Sequence, residues 1–145
     1  LANPQAGTPP GAPLARADGP EEPENGTTHF AVSDAAGTAV SYTSTIEGAF
    51  GSGLFYGGFY LNNELTDFTL LPEVGGKPVA NRVEGGKRPR SSMAPTIVFD
   101  PQGKVVLVIG AAGGPTIPVQ VARSIIGVVD FGMSASDALG LPFII

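Results

Sequence analysis

The chain has 145 residues, a net charge of −5, few charged residues (14%) and no cysteine. The sparse and negative charge argues against a nucleic-acid partner, which requires a basic surface, and the lack of cysteine excludes disulfides, thiolate metal ligands and a cysteine nucleophile. Glycine (21) and proline (14) together form about a quarter of the chain, so strands, turns and loops should outweigh helices.

Residues 1–26 are expected to form a Pro/Gly-rich linker. They hold six prolines, four glycines and four acidic residues, with Leu1 and Leu14 as their large aliphatic side chains. Such a segment buries too little apolar surface to offset the entropy lost on ordering. The folded domain is therefore predicted to span residues 27–145.

Two hairpins are predicted in this domain. Residues 28–32 and 40–45 alternate in polarity around a turn at residues 34–37, which indicates an antiparallel pair. Residues 96–99 and 104–109 flank the turn sequence Asp-Pro-Gln-Gly at 100–103, a composition typical of a tight turn. Because the second pair is almost continuously apolar, we expect burial on both of its faces.

The remaining segments are predicted to be loops followed by two helices. Residues 48–60 interleave glycines with aromatics and are interpreted as a loop, and residues 62–68 and 72–95 as irregular structure. Apolar residues then follow helical spacing from position 117 to about 132. Ser134 is placed to cap a short helix over residues 135–139, and the apolar residues at 143–145 look like the beginning of a truncated strand.

The chemistry of the chain is restricted by its single histidine. His29 cannot form a histidine cluster and is interpreted as a polar position on the first strand. A threonine at a free chain terminus can still act as a nucleophile, with its own α-amino group as the base. Thr27 is suited to this role if the chain is cut after Gly26, where the solvated linker meets the first strand. Threonine is also common at strand starts, so the two interpretations stand together at this point.

Four motifs in order carry a family resemblance. They are residues 27–30 (TTHF), 61–68 (LNNELTDF), 87–95 (KRPRSSMAP) and 110–114 (GAAGG). Over residues 27–145 the chain resembles the small, catalytic subunit of γ-glutamyltranspeptidase, with residues 1–26 in the place of the large subunit's tail. The resemblance implies an α+β, N-terminal-nucleophile hydrolase fold, in which stacked antiparallel sheets are flanked by helices and the C-terminal part is missing from this chain.

The resemblance also implies roles in catalysis. Thr27 would attack the Gly26 carbonyl to cut the precursor and would then serve as the nucleophile toward a γ-glutamyl amide. Thr45 matches a second threonine that supports the nucleophile's hydroxyl. Gly113 and Gly114 match the backbone donors of an oxyanion hole, although a plain strand-to-helix turn is an equally simple interpretation of both glycines.

The substrate-binding residues follow from the same match. Glu64 and Asp67 would hold the substrate's α-amino group, and Ser91 and Ser92 its α-carboxylate. Glu47 is a departure, because the family commonly has asparagine there. It replaces an amide by a carboxylate and is predicted to add negative charge near the substrate ammonium.

The implied activity is self-cleavage followed by hydrolysis or transfer of γ-glutamyl groups from glutathione and related amides. The expected partners are a small γ-glutamyl donor, an amino-acid, peptide or water acceptor, and the large subunit of the same precursor. No cofactor, metal, nucleic acid or membrane span is expected. The resemblance implies a periplasmic or secreted location. The alternatives are a glutaryl-type amide acylase on the same fold and a non-catalytic, uncleaved fragment, and the chain alone is expected to be inactive.

Overall fold

A computed structural model describes residues 26–142 of the chain. The predicted linker, apart from Gly26, and the predicted terminal strand at 143–145 lie outside the described residues. Within the described part, the fold is α+β, with antiparallel strand pairs and two helices. The chain divides into two compact units, whose described residues are 26–64 with 91–142 and, separately, 65–90.

Both predicted hairpins of the larger unit are confirmed. β1 (Thr27–Ser33) pairs with β2 (Ala39–Thr45), and β7 (Thr96–Phe99) pairs with β8 (Val105–Ile109). The two turns share one construction, in which the carboxylate of Asp34 or Asp100 accepts the backbone N–H groups two and four residues later. The bond from Thr38, above all, lowers the pKa of the Asp34 carboxyl.

The expectation that β7 and β8 are buried on both faces is wrong for the described residues. Leu107 and Ile109 are buried, but Val106 is 48% exposed and Phe99 is 55% exposed. The buried residues pack against one helix, which covers only one face of the pair. An almost continuously apolar pair of strands can therefore leave part of its apolar surface exposed.

The predicted loop at 48–60 contains a short hairpin, which corrects that prediction. β3 (Phe55–Tyr56) pairs with β4 (Phe59–Tyr60) across a Gly-Gly turn. Gly57 and Gly58 have φ of 63° and 95°, which is the left-handed pair that a tight hairpin turn needs. The high glycine content of this segment led to the prediction of a loop. Two of these glycines instead form the tight turn that allows β3 and β4 to pair.

The smaller unit contains β5 (Glu73–Val74) and β6 (Lys77–Pro78), an antiparallel pair where only irregular structure was predicted. Phe68 and Val79 are its buried apolar residues. The carboxylate of Glu84 forms ion pairs with Arg82 at 2.7 Å and with Lys87 at 2.9 Å. Two basic side chains of this unit are thus neutralised by one carboxylate.

The two predicted helices are confirmed in the larger unit. A 3₁₀ turn at Gly114–Thr116 leads into α1 (Ile117–Val129), and α2 (Ala135–Gly140) follows. Ser134 caps α2 as predicted, because its hydroxyl accepts the Asp137 N–H. Among the described residues, no helix has the length and apolarity needed to cross a membrane.

The core of the larger unit lies between β8 and α1. Its buried side chains are Leu107, Ile109, Ile117 and Val121. The strand contributes alternate residues and the helix contributes residues four apart, which are the spacings that place side chains on one face of each element. This packing fixes the connection between β8 and α1, where the predicted oxyanion glycines lie.

Candidate active site

The first residue of β1 and the last residue of β2 lie opposite each other, so Thr27 pairs with Thr45 in the hairpin register. Thr27 Oγ1 donates a hydrogen bond to Thr45 Oγ1 at 3.3 Å. Thr45 Oγ1 also accepts the backbone N–H of Glu47 at 2.8 Å. The predicted nucleophile and its predicted supporting hydroxyl are therefore in contact, and the second of them is held by the following turn.

The turn after β2 has an unusual backbone. Glu47 has φ of 72° and, among the described residues, is the one non-glycine residue with a positive φ. The residue is 7% exposed. Asn63 closes the turn from the other side, since its Oδ1 accepts the Gly48 N–H at 2.7 Å and its N–H donates to the Ile46 carbonyl at 3.2 Å. The left-handed conformation is thus fixed by hydrogen bonds on both flanks of Glu47.

Gly26 lies directly against this turn. A Cβ atom added to Gly26 would stand 2.1 Å from the Glu47 carbonyl oxygen and 3.1 Å from the carbonyl oxygen of Gly48. The first distance is too short for a side chain, so only glycine permits this approach. The peptide bond between Gly26 and Thr27, the predicted cleavage site, is consequently held against the backbone of residues 47–48.

Gly113 and Gly114 form the predicted strand-to-helix turn. Gly113 has φ of 129°, and its carbonyl accepts the Thr116 hydroxyl at 2.8 Å. The Ala112 carbonyl accepts Gln120 Nε2 at 3.1 Å. Because the C=O and N–H of a trans peptide point in opposite directions, the N–H groups of Gly113 and Gly114 both point away from these helix side chains. An oxyanion hole requires backbone N–H groups that face the developing negative charge, and this orientation is compatible with the predicted role.

His29 links the first hairpin to the segment that leads to these glycines. Its Nδ1 lies 2.8 Å from Thr43 Oγ1, and its ring covers Gly110, where an added Cβ would stand 2.3 Å from the ring atoms. Its Nε2 is buried and makes no hydrogen bond to the described residues. The interpretation of His29 as a polar strand position is confirmed, and its contact with Gly110 was not predicted.

Ser41 makes a second link between these elements. The Ser41 hydroxyl donates to the Ile109 carbonyl at 3.0 Å. The face of β1 and β2 that meets β8 is therefore polar and joined to the backbone of β8 by specific contacts. These contacts place the Thr27 hairpin beside the segment that continues to Gly113.

Two of the predicted acidic residues, Glu47 and Glu64, belong to the larger unit. Carboxylate oxygens of Glu47 and Glu64 lie within 4.8 Å of each other. Glu64 begins a 3₁₀ turn, Glu64–Asp67, and its N–H donates to Asn62 Oδ1 at 3.1 Å. Asp67 belongs to the smaller unit, where its carbonyl accepts the Asn81 side-chain amide at 2.5 Å.

The predicted carboxylate-binding serines lie in the segment before β7. Ser91 is exposed and its Oγ accepts the Met93 N–H at 3.4 Å, and Ser92 is half-buried. Within residues 26–142, no hydrogen bond connects either serine with Thr27. The described contacts therefore unite Gly26, Thr27, Thr45 and Glu47, and the roles of both serines stay predictions.

Asn63 is a residue that the sequence interpretation did not single out. It lies inside the motif at 61–68, and asparagine is common in turns, which is the one local signal that it carries. Its partners are two backbone groups 15 and 17 residues earlier in the chain, Gly48 and Ile46. Such a non-local pairing could not be predicted from local sequence.

The chain matches a known family over almost its full length. The model of the γ-glutamyltranspeptidase family matches residues 3–145. The glutathione hydrolase proenzyme of Bacillus subtilis (strain 168) is 47% identical over 121 residues, which cover 82% of this chain and 20% of that protein. The glutathione hydrolase proenzyme of Escherichia coli (strain K12) is 40% identical over 127 residues, covering 81% of this chain and 21% of that protein.

Solved structures give the same similarity. One is an acivicin-inhibited γ-glutamyltranspeptidase whose C-terminus has critical roles in its autoprocessing and catalysis; it is 44% identical, with a TM-score of 0.66 over 77% of this chain and 62% of that one. A mutant γ-glutamyltranspeptidase of Helicobacter pylori is likewise 44% identical, with a TM-score of 0.65 over 77% of this chain and 63% of that one. The chain spans about a fifth of the length of the curated relatives that it matches.

Proposed function

The chain belongs to the γ-glutamyltranspeptidase family, and on this premise we propose that it supplies the nucleophile of an enzyme that hydrolyses or transfers γ-glutamyl groups. Thr27 is the proposed nucleophile, released by self-cleavage of the bond after Gly26. The observation that carries the proposal is the contact of the Thr27 hydroxyl with Thr45 at the one end of the hairpin where Gly26 is pressed against the next turn.

Self-cleavage begins with attack of Thr27 Oγ1 on the carbonyl carbon of Gly26. The hydroxyl proton moves to the Thr27 nitrogen as the C–N bond breaks, which leaves an ester between the Gly26 acyl group and the Thr27 oxygen. Water then hydrolyses the ester. The products are a Gly26 carboxylate and a free Thr27 with its own α-amino group, which is the form of the nucleophile that needs no histidine base.

The freed threonine then acts on a γ-glutamyl amide. The α-amino group accepts the proton of Oγ1 while Oγ1 attacks the γ-carbonyl carbon, and it returns the proton to the departing amine. The γ-glutamyl ester that forms is resolved by water or by an acceptor amine. The N–H groups of Gly113 and Gly114, which point away from the side chains that bind the preceding carbonyls, support a role in stabilising the oxyanion of each step.

Recognition of the substrate is proposed from the family match. Glu64 and Asp67 would hold the α-ammonium group, and Ser91 and Ser92 the α-carboxylate, with the large subunit of the precursor completing the site. The carboxylate of Glu47 beside that of Glu64 supports an acidic subsite, since a cation is attracted to paired carboxylates. The proposal includes the N-terminal-nucleophile fold, in which both hairpins belong to stacked sheets.

The proposal is tested by substitution of the nucleophile in the full-length precursor. Thr27→Ala should leave the precursor uncut and inactive, because it removes the hydroxyl that is proposed to attack the Gly26 carbonyl. Thr27→Ser keeps a hydroxyl there and should cut slowly. Mass spectrometry of the purified proteins gives the cleavage position. Thr28→Ala is the matched control, since Thr28 is the exposed neighbour of Thr27 and donates to the Ser44 carbonyl on the opposite strand.

Cleavage of the Thr27→Ala precursor at the same bond would contradict the assignment of the nucleophile. Two other outcomes favour the alternatives. A wild-type precursor that remains a single chain favours the non-catalytic fragment. Among cut enzymes, faster turnover of a glutaryl than of a γ-glutamyl chromogenic amide favours the acylase.

A further inference from the structure

Glu47 is joined to the proposed cleavage site through its main chain on both sides. Its N–H donates to Thr45 Oγ1 at 2.8 Å, and Thr45 Oγ1 in turn accepts the Thr27 hydroxyl. Its carbonyl oxygen faces Gly26, with 2.1 Å between that oxygen and a Cβ built on the glycine. One residue therefore contacts the nucleophile's partner and the residue whose carbonyl is attacked.

This double contact depends on the left-handed backbone of Glu47. At φ of 72° the chain reverses at this residue. Its N–H therefore reaches Thr45 while its C=O faces Gly26. A residue with a branched or long side chain occupies this conformation at a cost, whereas glycine and asparagine occupy it readily. The conformation persists here because Asn63 bonds the flanking residues, Ile46 and Gly48.

We propose that Glu47 is a positioning residue for self-cleavage and that it acts through its backbone conformation, not through its carboxylate. The inference rests on the proposed cleavage between Gly26 and Thr27. In the left-handed conformation, the Glu47 N–H fixes the Thr45 hydroxyl that receives the Thr27 hydrogen bond. The Glu47 carbonyl meanwhile limits where Gly26 can lie. Together the two groups hold the attacking oxygen and the attacked residue in one arrangement, which raises the effective concentration of the hydroxyl at the carbonyl.

The experiment separates the backbone from the side chain by a series of substitutions at position 47 in the full-length precursor. Glu47→Gly and Glu47→Asn both remove the carboxylate and favour a positive φ, whereas Glu47→Ala removes the carboxylate and disfavours a positive φ. The rate of conversion of precursor to cut product is measured by mass spectrometry after a pulse of synthesis. We expect Glu47→Ala to be cut about tenfold more slowly than Glu47→Gly, with Glu47→Asn close to the glycine variant.

A matched control separates positioning from loss of stability. Gly37 has φ of 88° in the turn between β1 and β2, with open space around its Cα, so Gly37→Ala exchanges glycine for alanine at a left-handed position away from Thr27, which is the same exchange that distinguishes Glu47→Gly from Glu47→Ala. This variant should lose about as much stability to urea as separates Glu47→Ala from Glu47→Gly, yet be cut at the wild-type rate. Slow cutting of Gly37→Ala in proportion to its lost stability would reduce the role of Glu47 to general stability and overturn the proposal.

The remaining outcomes are distinct. Equal cleavage rates for Glu47→Ala and Glu47→Gly, both below wild type, would assign the effect to the carboxylate and overturn the proposal while leaving Thr27 as nucleophile. A precursor that stays uncut in its wild-type form overturns both this inference and the proposed function, and cleavage of the Thr27→Ala precursor does the same.

Discussion

Thr45 uses a single hydroxyl for two hydrogen bonds at the candidate site. It accepts the Thr27 hydroxyl at 3.3 Å and the Glu47 N–H at 2.8 Å. A hydroxyl oxygen has two acceptor sites, so both bonds can exist at once. Thr45 thereby joins the side chain of the nucleophile to the backbone of the next turn, and its hydroxyl has no substitute among these contacts.

We therefore predict that Thr45→Val lowers both stability and precursor cleavage by more than its small change in shape suggests. Valine keeps the volume but leaves the N–H of the buried Glu47 without its acceptor, which should lower the free energy of unfolding by about 1–3 kcal/mol. Precursor cleavage should slow in the same variant. Urea unfolding and mass spectrometry measure the two effects.

Two further variants complete this test. Thr45→Ser keeps the hydroxyl and should stay close to wild type in both measurements. Thr28→Val removes the hydroxyl of the exposed neighbour of Thr27 and should change little in either. A Thr45→Val protein with wild-type stability and cleavage would show that the Thr45 hydroxyl supports neither the turn nor Thr27.

At the scale of the elements, the first hairpin meets the segment after β8 through His29 and Gly110. The imidazole ring occupies the space that a Cβ on Gly110 would need, at 2.3 Å from its atoms. We predict that Gly110→Ala lowers the free energy of unfolding by about 1–3 kcal/mol, because the ring and the strand must move apart.

A double-mutant cycle tests whether the ring is the cause. In a His29→Ala background the Gly110→Ala substitution should cost at least about 1 kcal/mol less than it does in the wild type, since neighbouring residues couple by this amount. Urea unfolding of the four proteins measures the coupling. Strict additivity would mean that the two elements do not depend on this contact.

The elements show how far the sequence could be interpreted. Both long hairpins and both helices were predicted, because each has a local signal, such as Asp34 and Gly37 at the first turn or Ser134 at the α2 cap. The pairs β3–β4 and β5–β6 were missed. Their strands have only two residues each, and a Gly-Gly pair has the same composition in a loop as in a hairpin turn.

The candidate site divides in the same way. The contact of Thr27 with Thr45 follows from the register of the predicted hairpin once its turn is centred at residues 34–38. The positive φ of Glu47 depends on bonds to Asn63, 16 residues away in sequence, and no local pattern encodes it. Residue types thus indicated the chemistry, while the backbone geometry needed the tertiary contacts.

At the scale of the molecule, the outer face of the β1–β2 hairpin is apolar while its inner face is polar. Phe30 is 52% exposed and Tyr42 is 50% exposed, and their rings stack with centroids 5.1 Å apart. Val32 and Val40 continue the same face and are also exposed. A contiguous apolar face of this kind marks an interaction surface or a tendency to associate.

We predict that the isolated 145-residue chain self-associates and that Phe30→Lys reduces the association, because it removes one ring of the stack and adds a charge. Ser44→Lys is the control, since Ser44 is exposed on the same hairpin and gains the same charge without loss of an aromatic ring. Analytical ultracentrifugation at several concentrations gives the apparent mass. An equal decrease in both variants would assign the association to net charge instead of to the apolar face.

The close approach of Gly26 to the Glu47 carbonyl also gives the proposed cleavage a direction. Before the cut, the oxygen of Glu47 faces part of an uncharged peptide unit. After the cut, the same space would hold a carboxylate next to the carbonyl oxygen of Glu47. The negative carboxylate and the negative end of the carbonyl dipole repel at this range. We therefore expect the new chain end to leave its position, which makes religation unfavourable and the maturation of the precursor irreversible.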